Sequence, residues 1–222
     1  MGALARRSRE QRGAAVVEAA IVLPAILLVL LGMLEMGLYF KDSFTVSEST
    51  KNAAHTGAQY AAVADADYYI LQTVNHLASA IGGSVVEVVV YNADNPDPLH
   101  QTNGNVSATC VASANGVDVP YTDSGGISHP TGGIGSCNVY WAVNGDLNRP
   151  ESVFAAGTFT NAQHWAGASR FQNTTDTRAN GQPGPDLIGV WVKATHAWMT
   201  GIIRTSPSTI SSQAIFRIEP RQ

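Results

Sequence analysis

The residues whose types and spacing suggest chemistry lie near the N-terminus, where Gly13 and Ala14 precede a glutamate, Glu18, within an otherwise apolar run. A carboxylate inside a membrane-length apolar segment is costly, so it usually sits at an interface or has a partner. A peptidase that cut after Gly13 would make Ala14 the new N-terminus. Its ammonium group and the carboxylate four residues further on would then be available to each other, or to neighbouring copies of the chain.

The element that must position these residues is the apolar run 14–40, whose only charged residues are Glu18 and Glu35. As a helix, its 27 residues would span about 40 Å. That exceeds a hydrocarbon core of about 30 Å, so we predict a transmembrane anchor helix over 14–40. Four arginines precede it, which favours a cytoplasmic leader (1–13) and an extracytoplasmic domain (41–222): Arg6, Arg7, Arg9 and Arg12. We expect Glu35 simply to lie near one membrane interface.

The order of these features resembles type IV pilin-like precursors, which have a basic leader, a glycine at the cut, a glutamate at the fifth mature position and an apolar helix. The stretch from Arg12 to Pro24, followed by Gly32-Met-Leu-Glu-Met-Gly37, is similar to the TadE/TadG-like proteins of the tight-adherence (Tad, Flp) pilus system. Weaker similarity resumes at 53–62 and at 214–220.

The resemblance implies processing by a prepilin peptidase, with Gly13, Ala14 and Glu18 as the processing residues. It also implies a single pass through the bacterial cytoplasmic membrane, with other pilin-like subunits and the Tad assembly platform as partners. The implied function is that of a minor subunit or an assembly or tip factor of a Tad-type pilus, involved in adhesion. Because major subunits of this system are very short chains, the large domain fits a tip, initiating or platform role better.

Two other interpretations of the N-terminal segment remain open. A secretory signal peptide usually has an apolar centre of about 7–15 residues that ends at small residues. Here the run is longer, and the residues directly after Leu34, Glu-Met-Gly-Leu-Tyr-Phe-Lys, contain no Ala-x-Ala pattern. An unprocessed signal anchor would explain the arginines and the apolar run, but not the combination of Gly13 with Glu18.

Composition limits what the rest of the chain can be. Residues 41–222 are enough for one domain with its own core, and they carry nine Lys/Arg against fourteen Asp/Glu, a net charge of −5. Nucleic-acid binding, which needs clustered basic groups, is therefore not expected.

The two cysteines, Cys110 and Cys137, both fall in the predicted extracytoplasmic domain. An even number of cysteines in an oxidising compartment favours a disulfide. Two unpaired buried thiols remain the alternative, because the sequence does not show the sulfur geometry.

Hydrophobic periodicity predicts the elements that follow the anchor. Small residues at helical spacing over 42–63 predict that the anchor continues outward as one long helix, with a hinge at 41–43 as the alternative. A second helix is predicted over 69–81, and strands over 85–91, 108–112, 138–143, 187–198 and 209–218. Residues 113–136 and 144–186 have loop composition. The expected fold is α+β, with the long helix packed on an antiparallel sheet.

Catalytic patterns are absent from the sequence. No pair of the six histidines has the i, i+4 spacing of a helical zinc site, and there is no nucleophile elbow or P-loop. His196, on the apolar face of a predicted strand, is expected to be a hydrogen-bonded core histidine. We therefore predict no metal, no cofactor and no enzymatic activity. The alternative functions are a permanently anchored protein that binds a ligand through its long loops and, less favoured, a membrane-tethered hydrolase.

Overall fold

The computed structural model describes residues 2–60, 63–93, 106, 110, 121–122, 128–129, 131–133, 137–142, 146–154, 165, 170, 187–201 and 203–218. Within these residues the fold is α+β, as predicted. It consists of one very long helix, a second helix, and an antiparallel sheet on which both helices pack.

The first helix, α1, is continuous from Gly2 to Tyr60. It passes through Pro24 and through 41–43 without ending, so the prediction of one long helix is confirmed and the hinge at 41–43 is wrong. Proline lacks an amide hydrogen and removes one helical hydrogen bond, a defect that membrane-embedded helices tolerate.

The second helix, α2, spans Ala66–Ala78, so it begins and ends three residues before the predicted 69–81. Asp65, of a residue type favoured at helix N-caps, stands directly before it. Its end is marked by a local hydrogen bond in which the Ser79 hydroxyl donates to the carbonyl of His76 at 2.8 Å. Between the two helices, the Val63 amide donates to the Tyr60 carbonyl at 3.0 Å, and the Ala66 amide donates to the Val63 carbonyl at 3.2 Å.

Seven strands are described: β1 Ser84–Asn92, β2 Tyr121–Thr122, β3 Ser128–His129, β4 Thr131–Gly133, β5 Cys137–Trp141, β6 Leu187–His196 and β7 Ser208–Arg217. Five of them form an antiparallel sheet in the order β4-β5-β1-β6-β7, and β2 pairs with β3. A short 3-10 helix spans Glu151–Phe154. β1 lies at the centre of the sheet, consistent with its run of β-branched residues.

The strand predictions are confirmed for β1, β5, β6 and β7 within one or two residues at each end. The strand predicted over 108–112 falls mostly outside the described residues, and Cys110 within it has helical geometry instead. The interpretation of 113–136 as loop is wrong where β2, β3 and β4 occur. Backbone pairing with β5 stabilises β4 whatever its composition, which is why turn-forming residues there misled the prediction.

The core lies between the helices and the inner face of the sheet. On the helical side, α1 contributes Ala53, Ala54, Gly57 and Ala58, small residues that allow the helix to approach closely. A side chain added at Gly57 would begin 2.8 Å from the terminal methyl groups of Ile70 and Ile188. The small residues of α1 therefore set how closely the helix lies against α2 and the sheet.

A second apolar cluster covers the outer face of the sheet and includes both cysteines. It consists of buried residues from β1, β5 and neighbouring segments: Val89, Tyr91, Ala93, Cys110, Cys137 and Val139. A disulfide joins Cys110 to Cys137, which are 27 residues apart. The Tyr91 ring lies over Gly189, its partner across the β1–β6 pair. A side chain at position 189 would clash with this ring, so the close approach requires glycine.

Candidate functional site

The segment of α1 from Ala15 to Leu34 is exposed apart from the half-buried Gly32; we refer to this segment as the bare half. None of its twenty residues is buried by the described part of the chain, although most are large and apolar. α1 is also the helix that is long and apolar enough to cross a membrane. Twenty helical residues extend about 30 Å, which equals the thickness of a hydrocarbon core. This length and composition suit a single-pass anchor.

The predicted processing residues lie at the start of the bare half. Glu18 is on α1 with its side chain exposed, so the structure leaves its carboxylate accessible. Gly13 and Ala14 are also within α1, although the surroundings of their side chains lie outside what the structure describes. On a helix, residues 14 and 18 are one turn apart and lie on the same face.

The rest of the helix, Glu35–Tyr60, is the covered half, and it begins with a buried carboxylate. Glu35 is 1% exposed and accepts a hydrogen bond from the backbone amide of Thr200, in the connection between β6 and β7. The expectation that Glu35 simply lies near a membrane interface missed this contact. The two residues are 165 positions apart, and no local pattern in the sequence signals their pairing.

Further along the helix, α1 makes a second polar contact with the same end of the sheet. Asp42 is buried, and its Oδ2 lies 2.7 Å from Nδ1 of His196, the last residue of β6. Both carboxylate oxygens of Asp42 also accept from the Gly82 amide at 3.2 Å. The prediction that His196 is a hydrogen-bonded core histidine is confirmed. The contact fixes β6 and the start of β1 to α1.

Aromatic rings complete this junction between the anchor helix and the domain. Tyr39 stacks on Trp198 with ring centroids 5.7 Å apart and an angle of 4° between the planes. His196 meets both rings edge-on, at 5.4 Å from Tyr39 and 5.0 Å from Trp198. The Trp198 indole also donates to the Ser208 hydroxyl at 2.9 Å. Together these contacts hold the β6–β7 connection beside residues 35–42 of α1.

A second buried polar cluster lies away from the junction, around Asp67 on α2. The side chain of Arg170 is fully buried and forms a bidentate ion pair with the Asp67 carboxylate. The Asn138 side-chain amide donates to the same carboxylate at 2.7 Å. The Arg170 guanidinium also lies 4.5 Å from the centre of the Trp165 ring and donates to the Trp165 carbonyl at 2.8 Å. These bonds attach residues 165 and 170 to α2 and β5. Asp67 and Arg170 are 103 positions apart, and no local pattern in the sequence indicates their pairing.

A further acidic group, Glu87, is buried on the outer face of the sheet. Burial raises the pKa of Glu87 on β1, and the Lys193 ammonium group, 3.8 Å from its Oε2, partly opposes that shift. Burial likewise raises the pKa of Tyr91 on the same strand. Both shifts follow from the low polarity of the cluster that covers this face.

Among the residues that the structure describes, no group of three or more His, Cys, Asp or Glu side chains is arranged to hold a metal ion. An open groove between α1 and α2 is lined by polar side chains: Asn52, Gln72, Thr73 and His76.

The architecture defines a class of protein: an α+β domain carried on the second half of a helix whose first half suits a membrane anchor. Residues 13–59, which are 47 of the 222, match the family model of TadE-like proteins. The predicted resemblance is thereby confirmed over this segment, and it connects the chain with the Tad pilus system, whose TadE-like family is structural rather than catalytic. No curated protein and no solved structure matches the chain.

The family match lies entirely within α1. It begins at Gly13, the residue predicted to precede a cut, and ends one residue before α1 does. The matched segment therefore includes the bare half and nearly all of the covered half. Most of the sheet domain lies outside the match.

Proposed function

We propose that the chain is a pilin-like minor subunit, or an assembly or tip factor, of a Tad-type pilus. A prepilin peptidase would process it between Gly13 and Ala14. The observation that supports this most is the start of the TadE-like segment at Gly13, followed by an exposed Glu18 and an uncovered apolar helix.

The proposed mechanism is physical rather than catalytic. Cleavage after Gly13 removes four arginines and one glutamate, which lowers the formal net charge from −4 to −7. The Ala14 ammonium then lies at the membrane face, within reach of Glu18 of its own or of an adjacent chain. Such a pair is stronger in a bundle of low dielectric than in water, although desolvation offsets part of the gain. The bare half provides the apolar surface for that bundle.

The size of the domain points to a role other than that of the repeating subunit. The covered half carries a sheet of five strands, and residues 41–222 make up most of the 222-residue chain. We infer a tip, initiating or platform role, in which the surface of this domain contributes to adhesion.

The test is a comparison of Glu18→Ala with Glu48→Ala in cells that assemble the pilus. Glu48 is the matched control because it is an exposed glutamate of the covered half, paired with Lys51 on the surface. We expect Glu18→Ala to leave the chain cleaved and membrane-bound but to abolish its incorporation into pili, measured in the fraction sheared from cells. Glu48→Ala should behave as wild type. Normal incorporation of the Glu18→Ala chain would contradict the proposal.

The proposed orientation places residues 41–222 outside the cytoplasm, where a disulfide persists. We expect the Cys110–Cys137 bond to be present in cells, so that mass mapping without reduction finds the two peptides linked. The matched measurement is alkylation of the native chain before and after reductant. If the thiols react before reductant is added, the two cysteines are not joined in cells, and the prediction of a disulfide there is wrong.

The alternative is a permanently anchored protein that binds a ligand, and the polar groove beside Asn52 and His76 is the feature that favours it. Saturable binding of a saccharide or peptide to the full chain, lost in His76→Ala, together with normal pili after deletion of the chain, would favour this function over the first.

A further inference from the structure

The connection between β6 and β7 displays apolar side chains directly beside the anchor. Met199 is 74% exposed and Ile203 is 46% exposed, whereas Trp198 between β6 and Met199 is packed on α1. Single exposed apolar residues are common on protein surfaces and need no explanation. What distinguishes them is the level along α1 at which the connection that carries them is held.

The contacts of this connection fix that level. The Thr200 amide binds Glu35, and Trp198 stacks on Tyr39, so residues 198–200 lie beside the first residues of the covered half. The bare half, which ends at Leu34, is about 30 Å long. If the membrane span begins instead directly after Glu18, twenty residues end at Leu38. In both registers, Met199 lies at the boundary where the helix leaves the membrane.

We propose that the β6–β7 connection forms a second membrane contact, with Met199 and Ile203 inserted into the lipid surface at which the bare half ends. The neighbouring rings agree with this placement, because tryptophan and tyrosine are enriched at membrane–water interfaces, and Tyr39 and Trp198 stand at that level. Arg204, exposed directly after Ile203, has a stem long enough to reach lipid phosphates.

The second contact changes how the domain is held. A single helix would leave the domain free to rotate and tilt over the membrane, whereas a helix plus an inserted loop restricts both motions. Lifting the chain out of the membrane would also expose Met199 and Ile203 to water. This inference rests only on the anchoring part of the proposed function and not on the pilus role.

The experiment uses three variants of the full chain, each with one added cysteine that is labelled with an environment-sensitive NBD fluorophore, reconstituted in lipid nanodiscs at one chain per disc. Met199→Cys tests the loop. Leu27→Cys, in the bare half, reports whether the helix spans the bilayer. Arg217→Cys is the exposed control at the opposite end of β7, next to Phe216, whose ring contacts His55. The unsubstituted chain controls for labelling of the paired native cysteines.

We expect lipids brominated on their acyl chains to quench the probes at 27 and 199 but not the probe at 217, and we expect the emission at 199 to shift to the blue relative to 217. Quenching at 27 alone would overturn the second membrane contact while leaving the anchor in place. An absence of quenching at 27 would overturn the anchor itself. One chain per disc ensures that a second copy cannot account for the shift at 199.

Discussion

The two halves of α1 belong to one uninterrupted helix but have opposite surroundings. The bare half, Ala15–Leu34, presents large apolar side chains that the described part of the chain leaves uncovered. The covered half, Glu35–Tyr60, places small residues such as Ala54 and Ala58 under a sheet and a second helix. The two halves therefore differ both in side-chain size and in polarity, since the bare half has one charged residue and the covered half has five.

The buried charges follow the same division. In the covered half, Glu35 and Asp42 are buried and accept hydrogen bonds from backbone amides. In the bare half, Glu18 is exposed on the helix surface. The proposed role of Glu18 in subunit contacts depends on this accessibility, whereas Glu35 and Asp42 are already engaged in holding the domain on the anchor.

The largest expected effect comes from breaking the buried ion pair of the domain while leaving the bare half intact. Asp67→Ala leaves the buried Arg170 guanidinium without its carboxylate, and removing one partner of a buried pair costs about 3–5 kcal/mol. We expect the free energy of unfolding of the full chain in detergent, measured by denaturant titration, to fall by that amount. Membrane retention after alkaline carbonate extraction should be unchanged, because the anchor is not altered.

The control for this prediction is Glu48→Ala, which breaks an exposed pair with Lys51. Pairs of this kind contribute about 0–1 kcal/mol. Equal losses of stability in the two variants would mean that the Asp67 cluster does not hold the domain together. Loss of membrane retention in Asp67→Ala would contradict the independence of the two halves.

A smaller effect on the free energy of unfolding is expected from a matched pair of glycine substitutions, one in each half of α1. Gly57→Val in the covered half meets Ile70 and Ile188, and overpacking of this kind costs about 1–3 kcal/mol. Gly32→Val in the bare half meets nothing within 4 Å, so we expect a change within about 0.5 kcal/mol. The same denaturant titration measures both. A cost at Gly32 equal to that at Gly57 would mean that the bare half is packed by protein.

The smallest predicted effect concerns pH and involves only the domain. Because burial raises the pKa of Glu87 above its ordinary value of 4.5, the folded chain holds a proton that the unfolded chain has released. This contribution to stability is fully present below the ordinary pKa and is lost as the pH rises through the raised one. The Tm of wild type should therefore fall relative to that of Glu87→Gln over this window. A difference between the two that is independent of pH would contradict the shift.

Much of the fold could be predicted from sequence because it depends on local periodicity. The continuity of α1 and the strands β1, β6 and β7 follow from residue spacing alone. β4 was not predicted, because its three residues gain strand geometry only by pairing with β5.

The long-range polar contacts, both within the domain and between the domain and its anchor, could not be predicted in this way. Arg170 and Asp67 are 103 residues apart, and Glu35 and Thr200 are 165 apart. In the sequence, none of these residues differs from an ordinary polar surface residue, and only the fold brings the partners together. The processing residues could be proposed from sequence because Gly13, Ala14 and Glu18 form a short local pattern.

The central claim is that the chain is a processed pilin-like subunit, and the N-terminus of the mature chain tests it most directly. N-terminal sequencing of chain recovered from membranes of cells that contain the peptidase should give Ala14 for wild type. Gly13→Leu should remain uncut, because the family that the segment resembles requires a small residue at the cut. A wild-type start at Met1 or Gly2 would indicate a plain signal anchor, and a start beyond Phe40 would indicate a secretory signal peptide; either result would contradict the account.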